Sequence, residues 1–370
     1  DNVSSDFFWR FINTGGDLQA QIDTVSPQAR AASQGFAAGY SRFVREIQAG
    51  EHPGRQMACR DAAWVTEITE IDMYRRYYRL GLLASSSVFP NEIANAAPPQ
   101  QGETPAGPAP GTFPGLDPSD IPFGTPPPIG SNMYAISAGA SQTGQSIQFS
   151  NPHFPWRGTE RLYQMHLTLP GEVNIFGSSL YGVPAVLIGF NENLAWSHTV
   201  STAFRFTFYE LTLDPSDPTA YIFDGESVPM ETEEITVNIL EGDDTTEETR
   251  TLYRSRFGPM LELSASGVEI FPWTNARAYT LRDANAENNR LIRQFFEWNR
   301  ADSLDEFISL HGSVLGVPWV NTTATGPGGQ AYYGDVTAVP NVPDSKVTAC
   351  PSSVSAAFSQ LLPGLPVLDG

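Results

Sequence analysis

The chain has 370 residues, enough for one large domain or two or three smaller ones, and at 41% hydrophobic it can bury a sizeable core. A formal charge of −20 opposes binding to nucleic acid or to anionic membrane surfaces, both of which need basic patches. No apolar run reaches the ~18 residues of a membrane span, and HExxH, CxxC, P-loop and GxGxxG motifs are absent from the sequence.

Residues 1 to about 95 read as helical. Ser5-Asp6 is placed to cap a first helix bearing Phe7, Phe8, Phe11 and Ile12, stopped by Gly15-Gly16. Ser26-Pro27 reads as a cap followed by an N1 proline. Ala32, Phe36, Tyr40, Phe43, Val44 and Ile47 then share one helical face up to Gly50. A third helix is expected from about Asp61, with Trp64, Ile68, Ile71, Tyr78 and Leu82 facing a core. Residues 98–130 are rich in Pro and Gly. Pro98-Pro99, Pro105, Pro108, Pro110 and Pro126-Pro127-Pro128 fit neither a helix nor a central strand, so the stretch reads as an extended, solvated spacer.

The spacer ends at Ile129-Gly130-Ser131-Asn132. A Gly-Ser junction at the head of a strand is where a self-cleaving hydrolase would cut to expose a new N-terminal serine. Such a serine carries its own base, because its α-amine, of ordinary pKa ~8, can take the proton from its own Oγ. Gly130 lacks a Cβ, which lets the Ser131 hydroxyl approach the preceding carbonyl. The plain alternative is a linker that ends at the first strand of a β domain.

From Ser131 the apolar period changes to two. Met133–Ile136, Ser146–Phe149, Leu162–Thr168, Val173–Gly177, Ala185–Phe190, Leu194–Val200 and Phe206–Leu213 read as strands. Ile235–Leu240 and Thr251–Ser255 flank the tip Glu241-Gly242-Asp243-Asp244 as a hairpin. Helices return at about Asn288–Trp298 and at Ser303–Leu310, where Ser303 and Glu306 form a capping box; strands resume at Trp319–Thr323 and Ala331–Gly334. The layout is α+β, divided into a helical part (1–97), a spacer (98–130) and a largely antiparallel β core (131–370). There is no internal repeat. Cys59 and Cys350 could pair with each other, stay free or pair elsewhere; their spacing does not decide. Gly139-Ala140-Ser141-Gln142-Thr143 lacks the second glycine of a nucleophile elbow and is set aside.

Several blocks go beyond a generic β domain. They are Asn151-Pro152-His153-Phe154-Pro155-Trp156, Tyr163-Gln164-Met165-His166-Leu167-Thr168, Leu194-Ala195-Trp196-Ser197-His198-Thr199-Val200, Leu281-Arg282-Asp283-Ala284-Asn285 and Pro318-Trp319-Val320-Asn321-Thr322. In this order they resemble the penicillin-acylase family of N-terminal-nucleophile hydrolases, within it the branch of N-acyl-homoserine-lactone and aculeacin-type acylases. The resemblance covers nearly the whole chain and is strongest from Ser131 to about Asn321.

What the resemblance implies is specific. The fold would be an αββα sandwich of antiparallel sheets. Ser131 would be the nucleophile, freed by autocleavage after Gly130 and excision of the spacer to leave two chains of one precursor. His153 would sit beside it and orient or buffer its amine, and the Val200 N–H would form half of an oxyanion hole. Phe154, Leu180, Val183, Trp319 and Val320 would line an acyl-chain pocket. Taken alone, His153 is an ordinary turn histidine and Phe154 and Trp319 are ordinary core residues; His166 and His198 lie inside strands and match no catalytic position. Glu160 is polar where a related acylase has an apolar pocket residue. No cofactor is implied. Calcium, held in the penicillin G branch just after the oxyanion strand, is not expected at Val200–Thr207, which has no carboxylate.

The implied reaction is hydrolysis of a linear amide through an acyl-enzyme on Ser131. The favoured substrates are long-chain N-acyl-homoserine lactones, with penicillins or lipopeptides as alternatives within the class. A non-catalytic acyl-binding β domain is the alternative of another class. Export to the periplasm or outside the cell follows from the resemblance only. The family's catalytic asparagine would fall beyond Gly370 and a further segment before Asp1. The 370 residues are therefore expected to be a fragment cut at both ends, poorly active or inactive as it stands, whose cysteines would have lost partners to the same truncation.

Overall fold

The computed structural model describes residues 2–14, 18–23, 25–100, 113, 115–121, 129–242 and 244–370. Helices α1 (Asn2–Thr14), α2 (Leu18–Asp23), α3 (Pro27–Gln48), α4 (Glu70–Gly81) and α5 (Pro90–Ala94) come first. Strands follow as β1 (Gly130–Ile136), β2 (Ile147–His153), β3 (Leu162–Leu169), β4 (Val173–Leu180), β5 (Ile188–Phe190), β6 (Ala195–Val200), β7 (Phe206–Asp214), β8 (Asp217–Phe223) and β9 (Glu226–Pro229). Next are β10 (Glu231–Glu241), β11 (Asp244–Ser255), β12 (Gly258–Leu261), β13 (Leu263–Ala265), β14 (Val268–Phe271) and β15 (Arg277–Asp283). The chain finishes with α6 (Leu291–Trp298), α7 (Leu304–Val314), β16 (Val320–Thr325), β17 (Ala331–Gly334), α8 (Asp344–Ala349), α9 (Ser355–Leu361) and β18 (Val367–Asp369).

The strands make mixed helix-and-sheet architecture of the expected α+β class. One sheet runs β17-β16-β6-β5-β4-β3, all antiparallel. A second, of eight strands, runs β10-β11-β12-β15-β7-β8-β9, with β18 joining β7 in parallel. The β1-β2 ladder lies over β6 and β16 of the first sheet. Ser150 Oγ meets Ser197 Oγ at 2.6 Å, and Gln148 Nε2 donates to Thr323 Oγ1 at 2.9 Å. Successive residues of β6 face opposite ways. Ser197 therefore meets this ladder while Trp196 and His198 turn to the other side, against Phe307 of α7 and Phe295 and Trp298 of α6. The result is a layered stack of helix, sheet and ladder.

Local chemistry explains where the helices depart from expectation. Helix α1 begins at Asn2, so Ser5 and Asp6 lie inside it; Val3 extends the apolar stripe of Phe7, Phe8 and Phe11 by one turn. Its expected stop, Gly15-Gly16, lies outside the described residues. Helix α3 does start at Pro27, with Ser26 Oγ accepting the Ala29 N–H at 3.4 Å. Its buried face is Ala29, Ser33, Ala37, Ser41, Val44 and Ile47; of the expected stripe Val44 and Ile47 are buried, while Tyr40 is exposed. Small residues let α3 approach α4 closely, and Ser33 Oγ meets Tyr77 O–H at 2.9 Å. The third helix starts at Glu70 rather than Asp61. Thr69 N–H and Asp72 close a capping box at 2.8 Å, and Trp64 is 74% exposed in the irregular stretch before it.

The β strands run longer than the sequence pattern suggests. Strand β2 continues through Pro152, which pairs with Ser131. A two-stranded ladder has only edge strands, so a missing N–H there interrupts nothing. The acidic hairpin is as expected, Glu241 pairing with Asp244, with Asp243 outside the described residues. Ser303 caps α7, but Glu306 reaches back to Asp302 N–H at 2.8 Å.

The N-terminal helices share cores with the strands. Tyr77, Leu80 and Leu83 pack with Leu180, Trp196, Trp298 and Trp319, and Phe7, Phe8 and Phe11 pack with Phe206, Phe208, Phe271 and Phe358. Ser86 N–H donates to the buried Asp283 carboxylate at 2.9 Å. Burial pushes the Asp283 pKa up, against the hydrogen bonds from Ser85 and Ser86. The spacer is not wholly solvated. Phe113 and Leu116 lie against the second core and Ile121 is buried in it. Pro105, Pro108, Pro110 and Pro126–Pro128 lie outside the described residues.

Candidate active site

The β1-β2 ladder decides what stands at the Gly-Ser junction. Gly130 pairs with His153 and Ser131 with Pro152. Alternation then puts the Ser131 side chain on the face toward β6 and β16, with Ser150 and Gln148. His153 lies on the opposite face with Asn132. His153 Nε2 is 3.4 Å from Asn132 Nδ2. The Ser131 hydroxyl donates to the Gly130 carbonyl. A Cβ built on Gly130 would meet only His153 Nδ1, at 3.7 Å, an ordinary contact. The glycine is therefore not demanded by crowding at the serine; what it marks is a backbone flanked by an imidazole on one face and a hydroxyl on the other.

Ser131 opens on a cavity of ≈ 60 Å³ whose walls are almost entirely aliphatic and aromatic. Phe154, Leu180, Val183, Val200, Trp319 and Val320 all line it; His153 does not. Sequence reasoning missed Leu80, Leu187, Ile188, Leu291 and Phe295, which line it together with Leu162, Thr199 and Pro318. Leu80 lies off the expected stripe of α4, on the face buried with Met73, Tyr74 and Tyr77, and Trp319 Nε1 donates to its carbonyl at 2.7 Å. One pocket wall is therefore supplied by the helical part and the rest by the β core.

The Val200 N–H has a definite direction. Ser201 N–H donates to Trp319 O at 3.1 Å, so odd residues of β6 turn their N–H groups toward β16 and even residues turn theirs away. On that other side β5 pairs only with Ala195 and Trp196. The Val200 N–H points past the end of β5, where Leu187 and Ile188 line the cavity with it.

Other candidates find different places. Glu160 is buried away from the cavity wall, beside Arg79 at 3.3 Å and Arg76 at 3.8 Å. His166 lies exposed on β3, 2.9 Å from Asn174 Oδ1. Arg205, in the stretch after Val200, is buried, and its Nη1 donates to Ala203 O at 2.7 Å. Among the described residues no three His, Cys, Asp or Glu side chains cluster as metal ligands would. Cys59 and Cys350 are both free.

His198 lines the cavity but is built as a core residue. It stacks on Trp298 at 5.8 Å, and its Nδ1 lies 3.1 Å from Thr322 Oγ1 and 3.3 Å from Asn321 O. Nε2 makes no aligned hydrogen bond; the nearby Leu187 carbonyl already accepts Trp196 Nε1 at 2.7 Å. Burial pushes the His198 pKa down to about 3 and that of His311 down to about 4, the latter between Tyr332 O–H and Val336 O at 3.0 Å each. Both stay neutral in the fold while the unfolded chain protonates them near pH 6.5. Their stabilisation is full above pH 6.5 and is lost as pH falls toward 4 and then 3. Chemical denaturation at pH 7 and pH 5 is expected to show His311 alone contributing a loss of about 2 kcal/mol. In His311→Gln the decline between these pH values should be shallower by that amount; an unchanged slope would refute the assignment.

The comparisons with known proteins agree in kind. The penicillin amidase family model matches residues 1–366. Acyl-homoserine lactone acylase PvdQ of Pseudomonas fluorescens (strain Pf0-1) is 35% identical over 371 aligned residues, covering 100% of this chain and 46% of that protein. PvdQ of Pseudomonas putida is 37% identical, covering 95% and 44%, and aculeacin-A acylase of Actinoplanes utahensis is 37% identical, covering 95% and 43%. The chain spans about half the length of the curated relatives it matches. On the match over residues 1–366, this chain belongs to the penicillin amidase family.

Proposed function

We propose that this chain carries the nucleophile and acyl pocket of an amide hydrolase that splits N-acyl compounds bearing long apolar acyl chains. In this reading the Gly130–Ser131 peptide is severed first. Ser131 Oγ attacks the Gly130 carbonyl, its proton going in net to the departing nitrogen as the C–N bond breaks, and water then hydrolyses the resulting Gly130 ester to free Oγ and the spacer's carboxyl end. His153, on the Gly130 side of the ladder, passes a proton to the departing Ser131 nitrogen. The freed α-amine then serves as base when Oγ attacks the substrate amide. The Val200 N–H receives the oxyanion, and one such donor contributes ~3 kcal/mol. The excised spacer would leave a helical chain and a β chain, both contributing to the pocket, in an exported protein of the periplasm or exterior.

The observation that carries the reading is that Ser131 lines an apolar cavity together with Phe154, Leu180, Val183, Trp319 and Val320. The relatives' names add acyl-homoserine lactones and aculeacin A as substrate chemistries. The test is an acyl-length series of homoserine lactones, with a lipopeptide and penicillin V as head-group arms, on the full-length protein. Each added CH₂ buried in the pocket is expected to contribute up to ~0.8 kcal/mol to kcat/KM until the pocket is full. A rate independent of acyl length would contradict the pocket assignment.

A further inference from the structure

Strand β16 presents a polar side chain to the proposed oxyanion strand that none of the roles above uses. Asn321 pairs with Thr199 across the β6-β16 ladder. Its Nδ2 donates to Thr199 Oγ1 at 3.1 Å and to Val200 O at 3.2 Å. Its Oδ1 accepts the Tyr333 O–H at 3.1 Å. Each amide group thus has a partner of the right kind, and the orientation is determined by the network. Reversing the amide would set Oδ1 against the Val200 carbonyl, two acceptors in contact.

Thr199 and Val200 are the two residues joined by the peptide that contains the Val200 N–H. The ladder holds Thr199 on one side, but no strand lies opposite that N–H on the other. Val200 is also the last residue of β6. An oxyanion donor works only when it is aimed to within a few tenths of an ångström of where charge will develop. The ladder continues one bond past Val200, from Ser201 N–H to Trp319 O, and Asn321 adds a side-chain hold on Thr199 and on the Val200 carbonyl beside that N–H.

We propose that Asn321 is a positioning residue for the oxyanion-binding N–H of Val200, with Tyr333 holding its amide in the working orientation. This rests on the reading of Val200 given under the proposed function. Asn321 does not itself line the cavity, but the two residues it holds, Thr199 and Val200, do, so its effect reaches the reaction through that pair.

The test compares Asn321→Ala, Asn321→Asp and Tyr333→Phe with wild type in the full-length protein, after thermal unfolding has shown similar stability. With a long-chain acyl-homoserine lactone as probe, kcat is expected to fall by ~10-fold in Asn321→Ala while KM stays within ~2-fold, the signature of an interaction realised in the transition state. Asn321→Asp should lose more, because a carboxylate cannot donate and faces the Val200 carbonyl. Tyr333→Phe should lose roughly 3-fold, since the donors survive but their orientation is no longer held. Loss confined to KM, or kcat within ~2-fold of wild type in Asn321→Ala, would overturn the proposal while leaving the hydrolase reading intact. A wild-type protein that turns over none of the amides would overturn both. Should one of the Asn321 variants be destabilised, Tyr333→Phe, whose ring is largely exposed, still decides: wild-type kcat in it counts against the relay.

Discussion

Replacing Ser131 with Ala is expected to leave a folded, uncut chain with no measurable amidase activity. The side chain removed is small and half-buried, and among the described residues it donates to the neighbouring Gly130 carbonyl. The β1-β2 ladder is held by backbone pairing from Gly130–His153 to Ile136–Ile147, which the substitution does not touch. Stability should therefore change by less than ~1 kcal/mol. The chemistry has no substitute. Without Oγ there is no attack on the Gly130 carbonyl, so the amine that would act as base is never released. Without Oγ there is also no acyl-enzyme. Loss of a nucleophile typically costs at least ~10⁴-fold. A variant that is still cleaved, or that keeps more than about one part in a thousand of the wild-type rate, would mean that another group does the work.

On the proposed function, Val183→Phe is expected to shift the preferred acyl chain from long to short. Val183 is fully buried on the turn after β4, and its backbone is pinned. Its N–H donates to Leu180 O at 3.1 Å, and its carbonyl accepts Ser179 Oγ at 3.2 Å and Tyr163 O–H at 3.3 Å. Gly182 before it has φ of +85°, a conformation that further restrains the turn. A larger side chain cannot push this backbone away, so the ring fills the cavity that Val183 lines. If four methylenes of a long chain are excluded, about 3 kcal/mol of binding is forgone, a loss of ~10²-fold in kcat/KM. Chains too short to reach the ring should keep their rate to within a few-fold. A uniform loss across all acyl lengths would indicate general damage, and no loss at all would place the acyl chain elsewhere.

Chemical order along the chain was more legible than geometry. The Gly-Ser junction, the Asn-Pro-His-Phe-Pro-Trp block and the strand ending at Val200 carry their residue types in plain view. The pocket residues named from them do converge on Ser131. What could not be read was which face each element turns inward. In α3 a stripe of Ala and Ser, weak in any hydrophobicity count, outcompetes Tyr40, because close helix approach rewards small side chains. Trp64 looks like core and is exposed, because a capping box at Thr69 starts the helix after it. His153 was expected beside the serine. A strand register, invisible in sequence, puts it across from Gly130 on the far face. The short strands β9, β12, β13, β14 and β18 offer too few residues for a period to show. Asn321 sits inside a block already singled out, but its role depends on three partners from β6 and β17 that only the fold assembles.

The central claim is that one peptide bond is broken to make the catalytic group. Intact-mass measurement with N-terminal sequencing of the full-length protein, freshly expressed, tests it most directly. The expected result is two chains, the larger beginning Ser-Asn-Met-Tyr-Ala-Ile at Ser131. A single chain that runs unbroken through Gly130–Ser131 and still hydrolyses amides would contradict the mechanism at its root.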